Sequence, residues 1–125
     1  MKDQVTSIEQ SKRLIELGVP ADRASMVYRK TNIVGIVRLE VKKGKGGVVA
    51  PAFTVADLLE LLPSVIFRGI RFNPTLEKTG EDGWDFEFGQ ILQDKEYGFA
   101  HNKSLIDLLV GRIEWVVSNG YGLNL

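Results

Sequence analysis

The chain of 125 residues contains no cysteine, and His101 is its one histidine. Without cysteine there is no disulfide and no thiolate metal ligand, which excludes the small secreted scaffolds stapled by cystines. A single histidine cannot build an imidazole-rich metal site. Neither sign of charge is in excess: 16 basic and 16 acidic residues give a formal net charge of zero. The chain as a whole has no electrostatic drive toward nucleic acid or an anionic membrane, which leaves only local patches to consider. No stretch approaches the roughly 18 apolar residues of a membrane span. The opening "MKDQVTSIEQSKRLIELG" lacks the apolar core of a secretory signal. These absences set the expectation of a cytoplasmic chain with no membrane partner.

What is present is ordinary for a globular protein: 44% hydrophobic and 26% charged residues. The length argues for a single domain, 1–125. At that size roughly two thirds of the unfolded surface can be buried.

Three helices are predicted. Thr6 and Glu9 have capping-box spacing, Ile8, Leu14, Ile15 and Leu17 follow as an apolar stripe, and Gly18 and Pro20 stop a helix over 6–17. Thr54 and Asp57 repeat the spacing before "VADLLELLP", where Phe53 and Leu58 can form a hydrophobic staple. Ser104 and Asp107 repeat it again before Ile106, Leu109, Ile113, Val116 and Val117, and Asn119-Gly120 closes this third helix.

Between the helices lie strand signals. "SMVYRK" and "IVGIVRLEVK" are two runs joined near Thr31-Asn32, the second alternating Val37, Leu39, Val41 with Arg38, Glu40, Lys42. "VIFRGIRFNP" reads as a strand with Ile66, Ile70 and Phe72 apolar. "GWDFEFGQI" places Trp84, Phe86 and Phe88 opposite Asp85 and Glu87, after the hairpin signal "GEDG", and "KEYGFAHN" is a last short strand. The predicted fold class is α+β, with the three helices packed on one face of a mainly antiparallel sheet.

Chemistry is sparse. The segment "VKKGKGGVVAP" has the composition of a phosphate loop. It lacks the Gly-Lys-Ser/Thr ending and the abutting helix that such a loop needs. The expected object is a mobile, solvated hairpin loop. Arg38, Lys42, Lys43 and Lys45 make a basic arm that could meet a nucleic-acid backbone, and Arg68 and Arg71 could extend it. No aromatic residue is interleaved with those lysines to stack on bases. His101 could act as a base only if a carboxylate or nucleophile met it, and Ser104 is committed as a cap. Asp82, Asp85 and Glu87 read as solvent-face charge, with a hydrolytic carboxylate site as the alternative. Trp115 and Tyr121 complete the core at the helix end. The second reading makes Tyr121, Leu123 and Leu125 an apolar tail that adds to another subunit. No catalytic residue, metal site or cofactor is assigned.

The stretches "TSIEQSKRLIELGVPADRASMVY", "PAFTVADLLELLP" and "SLIDLLVGRIEWVVSNGY" together resemble a group of short uncharacterised proteins of Bacteroidetes genomes, often near phage-derived or mobile elements. Those chains share the Thr-Ser-Ile-Glu-Gln-Ser-Lys opening, a Pro-Ala-aromatic-Thr/Ser segment before a Leu-rich helix, and an Asn-Gly-Tyr ending. "KKGKGG" and "GEDGWDFEF" match them less well. The resemblance implies a bacterial, intracellular origin in mobile elements and carries over no catalytic residue. The resulting expectation is a non-enzymatic module that works through a protein partner or as a homodimer. A nucleic-acid accessory protein using the basic arm is the first alternative, and a carboxylate hydrolase the second.

Overall fold

The first helix starts later than its signature suggests. The computed structural model describes residues 4–42, 44, 46–67, 71–80, 82–90 and 93–125, with the side chains of 67, 71, 90 and 93–97 left out. In it α1 spans Ile8–Glu16 and is capped by Ser7, not Thr6. Ser7 Oγ accepts from Gln10 N–H at 3.1 Å, and Gln10 Oε1 accepts from Ser7 N–H at 2.9 Å, a complete capping box. Thr6 is unavailable because its buried hydroxyl accepts from Phe53 N–H at 3.0 Å and bonds to Ser11 Oγ at 2.7 Å.

The second box forms as its sequence predicts: Thr54 and Asp57 cap α2, Val55–Leu61. The third is half a box. Ser104 Oγ accepts from Asp107 N–H at 3.2 Å to start α3, Leu105–Ser118, while Ser104 N–H donates to Asn102 Oδ1 at 2.9 Å. The Asp107 carboxylate instead accepts from Gln10 Nε2 at 2.7 Å, so one glutamine side chain caps α1 and reaches α3. Both α1 and α3 end in a Schellman turn with glycine in the left-handed conformation. Gly18 has φ +102° and Gly120 φ +79°. Val19 N–H reaches back to Leu14 O and Tyr121 N–H to Val116 O, each at 3.0 Å.

Every described strand pair is antiparallel, but there are two sheets where the alternation suggested one. The first contains β1 (Met26–Lys30), β2 (Val37–Val41) and β3 (Val48–Ala52) in the order β2-β1-β3. The second contains β4 (Ile66–Phe67), β5 (Arg71–Lys78), β6 (Trp84–Gln90) and β7 (Gln93–Asn102) in sequential order. The run expected as one strand over 65–74 is thus the two-residue β4 and the start of the longer β5, antiparallel to each other with Ile66 opposite Phe72; Ile70 lies outside the described residues. The Gly80–Gly83 turn is as expected, with Thr79 N–H donating to Gly83 O at 2.9 Å.

The lysine-glycine segment is not a hairpin loop. Both β2 and β3 are antiparallel to β1 and flank it, so they run parallel to each other. Val41 lies opposite Met26 and Val48 opposite Arg29, so the chain must return along β1 and cross to its far side. Gly46 O accepts from Arg29 Nη1, and Gly47 O from Lys30 N–H at 2.8 Å, fixing the end of that crossing on β1. Local composition cannot separate a six-residue crossover from a six-residue hairpin loop, since glycine serves both.

The main core joins α2, α3 and the inner face of the second sheet: Phe53, Leu58, Leu61, Phe86, Phe88, Leu109 and Ile113 are completely or almost completely buried. α3 packs on β6 and β7, α2 packs on α3, and α1 packs on β3. Between Phe86 and Phe88, β7 carries an extra residue, a bulge that contains Gly98 at φ +70°. The bulge brings Gly98 against Trp115, whose ring stacks on Phe88 at 5.7 Å.

Candidate interaction surface

The turn between β1 and β2 is built to hold its shape while exposing apolar side chains. Thr31 N–H donates to Ile36 O at 3.1 Å, and Ile36 N–H to Ile33 O at 3.1 Å. Thr31 Oγ1 accepts from Ile33 N–H at 3.2 Å, a local hydroxyl turn, and Gly35 supplies a left-handed φ of +82°. At the surface of this ordered turn Ile33 is 67% exposed, Val34 100%, Ile36 52% and Val37 40%. A depression of about 360 Å³ lies among them, lined also by Val49. Scattered apolar residues on a surface are normal, but a contiguous group on a protruding turn marks a contact site. The residues 33–36 read in sequence as the start of a strand. The clue against that was Gly35, which breaks "IVGIV" into two apolar pairs without alternation.

The predicted basic arm lies beside this tip. Arg38 is exposed on β2, next to Arg29, which binds Glu40 and Gly46 O. Lys42 Nζ donates to Asp22 O at 3.0 Å. Lys43, Lys45 and Arg68 lie outside the described residues. The described part of the arm is therefore interleaved with an acid and partly tied to backbone.

The C-terminal residues are distributed differently. Tyr121 and Leu123 are partly buried against the chain's own core, with the Tyr121 ring 5.9 Å from Trp115. Asn124 N–H donates to Leu61 O at 2.8 Å and its Nδ2 to Glu60 O at 3.0 Å, which satisfies carbonyls left open at the end of α2. Leu125 remains 60% exposed.

His101 does meet a carboxylate: its Nδ1 lies 2.5 Å from Asp85 Oδ1, directly across β6 and β7. The pair sits on the outer face of the second sheet, where Thr75, Glu77, Glu87 and Phe99 line a neighbouring depression of about 130 Å³ with Asp85. Both side chains are partly exposed, and no described hydroxyl bonds to the other ring nitrogen. Ser104 is held as a cap. The described arrangement offers an ion pair on protonation, not a nucleophile with its base. No group of three or more potential ligands suited to a metal ion occurs among the described residues. Among them, too, no helix is long and apolar enough to cross a membrane.

Comparison with known proteins gives no further bearing on this surface: no family model, no curated protein and no solved structure matches the chain.

Proposed function

We propose that the protein is a non-enzymatic, intracellular interaction module whose contact surface is the β1–β2 arm. The observation that carries this reading is the ordered, exposed apolar tip of Ile33, Val34, Ile36 and Val37. An isolated apolar tip held by its own hydrogen bonds contributes nothing to the core and costs solubility, so its retention points to a partner that covers it. In this reading α3 covers the second sheet with α2 packed on it, α1 rests on β3 of the first sheet, and the arm is left for the partner. The resemblance to chains of bacterial mobile elements supplies the expected setting. The basic arm supports a nucleic-acid role less well, because Arg29 is paired with Glu40 and Lys42 with backbone.

Affinity capture from the source cells, followed by titration of the captured protein with purified chain, tests the reading. Val34→Asp and Ile36→Asp should retain the parent's melting temperature and lose binding at least tenfold. Unchanged binding by both variants would overturn the assignment of this surface.

A further inference from the structure

We propose that the free edge of β2 pairs with β2 of a second copy of this chain, antiparallel and centred on Leu39, giving a continuous sheet of six strands. The inference rests on the reading of the arm as a contact surface and names its occupant.

The backbone phase permits this register. Thr31 N–H donates to Ile36 O, and Lys42 N–H donates to Ser25 O at 3.2 Å. Antiparallel ladders alternate hydrogen-bonded and non-hydrogen-bonded pairs, so positions 36, 38, 40 and 42 turn their backbone polar groups toward β1. Val37, Leu39 and Val41 turn theirs outward, to an edge that no described strand covers. A second β2 centred on Leu39 would exchange hydrogen bonds at Leu39 with its own copy, and at Val37 with Val41 of the other. All five residues of the strand are then paired.

The side chains select the same register. "VRLEV" is self-complementary when reversed: Arg38 meets Glu40 of the second copy, and Glu40 meets Arg38. A register centred on Arg38 opposes two arginines, and one centred on Glu40 opposes two glutamates, both destabilising for directly facing pairs. Centring on Val41 matches Glu40 with Lys42 but runs Leu39 and Val37 past the end of the strand. A slip by one residue puts the apolar face of one copy against the polar face of the other. In the favoured register Val37 and Val41, which is 62% exposed, flank Leu39 on one face. Arg38 has no hydrogen bond or ion pair among the described residues, so it is available. The strand carries neither proline nor lysine, two of the usual protections of an exposed edge. Pairing about a two-fold axis closes the assembly at two copies.

Sedimentation velocity on the full chain in the micromolar range should show a dimer. Arg38→Glu should weaken it about tenfold or more by reversing both cross-strand pairs. Glu40→Lys should do the same, and an equimolar mixture of the two variants should recover a dimer, because each chain then offers one sign only. Glu40→Lys also loses Arg29, so a second readout guards against altered folding. Leu39→Cys, the only thiol in its chain, should form a disulfide dimer under mild oxidation much faster than Val34→Cys at the tip. A parent chain monomeric throughout, an Arg38→Glu dimer of unchanged strength, or equally fast oxidation at position 34 would each overturn the pairing. If the parent is monomeric while Val34→Asp still loses a captured partner, the self-pairing falls and the interaction-module reading stands.

Discussion

Asp57 holds Ser25 twice, accepting from its backbone N–H at 2.8 Å and from its hydroxyl at 2.5 Å. The same carboxylate accepts from Thr54 N–H at 2.9 Å, so one buried side chain caps α2 and anchors the start of β1. Burial by itself would raise the pKa of Asp57, but the hydrogen bonds from Ser25 and Thr54 outweigh it and hold the group below its ordinary value. A depressed folded pKa stabilises above the unfolded value, about 4, and that contribution is lost as pH falls through the lower folded value. We predict that Asp57→Asn costs about 1–3 kcal/mol at neutral pH, the range for unsettling a buried hydrogen-bonded group. The gap between parent and variant should narrow below about pH 4. Urea denaturation across pH measures it, and a constant gap would show that the charge is not what matters.

Gly98 has no room for even a single methyl group. A Cβ there would lie 2.7 Å from the Trp115 ring, and φ is +70°. Trp115 cannot give way easily, since Phe88, Tyr121 and the Arg112 guanidinium surround its ring. Gly98→Ala should cost roughly 2–4 kcal/mol, combining left-handed strain with overpacking. Thermal melting gives the cost, and near-ultraviolet circular dichroism should change as the indole shifts.

Removing residues 121–125 should weaken the fold. The deletion strips Tyr121 and Leu123 from the core and leaves the carbonyls of Glu60 and Leu61 open. A loss of about 2–4 kcal/mol follows from two partly buried side chains and two hydrogen bonds. Association should persist at concentrations where the truncated chain is folded. A stable, strictly monomeric truncated chain would return the tail to the role of subunit contact.

Replacing Lys43–Gly47 by Asn-Gly tests the crossover. The connection must cover about 10 Å along β1 and about 10 Å across two strand spacings. The three residues left between Val41 and Val48 reach only about 14 Å when fully extended, with no allowance for arching over β1. Pairing of β3 with β1 should therefore be lost or strained, and the melting temperature should drop by several degrees. Retention of the parent value would mean that β3 does not need this path.

The helices and most strands were legible because capping spacing and alternation are local signals. Thr6 and Ser7 each stand three residues before a residue able to close the box, and only the distant Phe53 N–H decides between them. The pairing of Asp85 with His101 needed the register between β6 and β7, which no local pattern carries. The apolar turn was masked by composition, because Ile33, Val34 and Ile36 are good strand formers placed where a turn was required. The order β2-β1-β3 depends on the crossing after β2, and the division into two sheets on the path of the chain after α2; composition leaves both open.

The uneven distribution of the core has a consequence for how the molecule opens. In the first sheet, Val27, Ala50 and Ala52 are buried outside the main cluster, and the ties to the rest are largely polar: Thr6 to Phe53, Tyr28 to Thr6, Ser25 to Asp57. A unit with few buried apolar contacts can unfold while the larger one stays intact. Amide hydrogen exchange should therefore resolve two cooperative units. The amides of β1 and β3 should exchange together and ahead of those in α3 and β6, and a second copy bound along β2 would slow the first group alone.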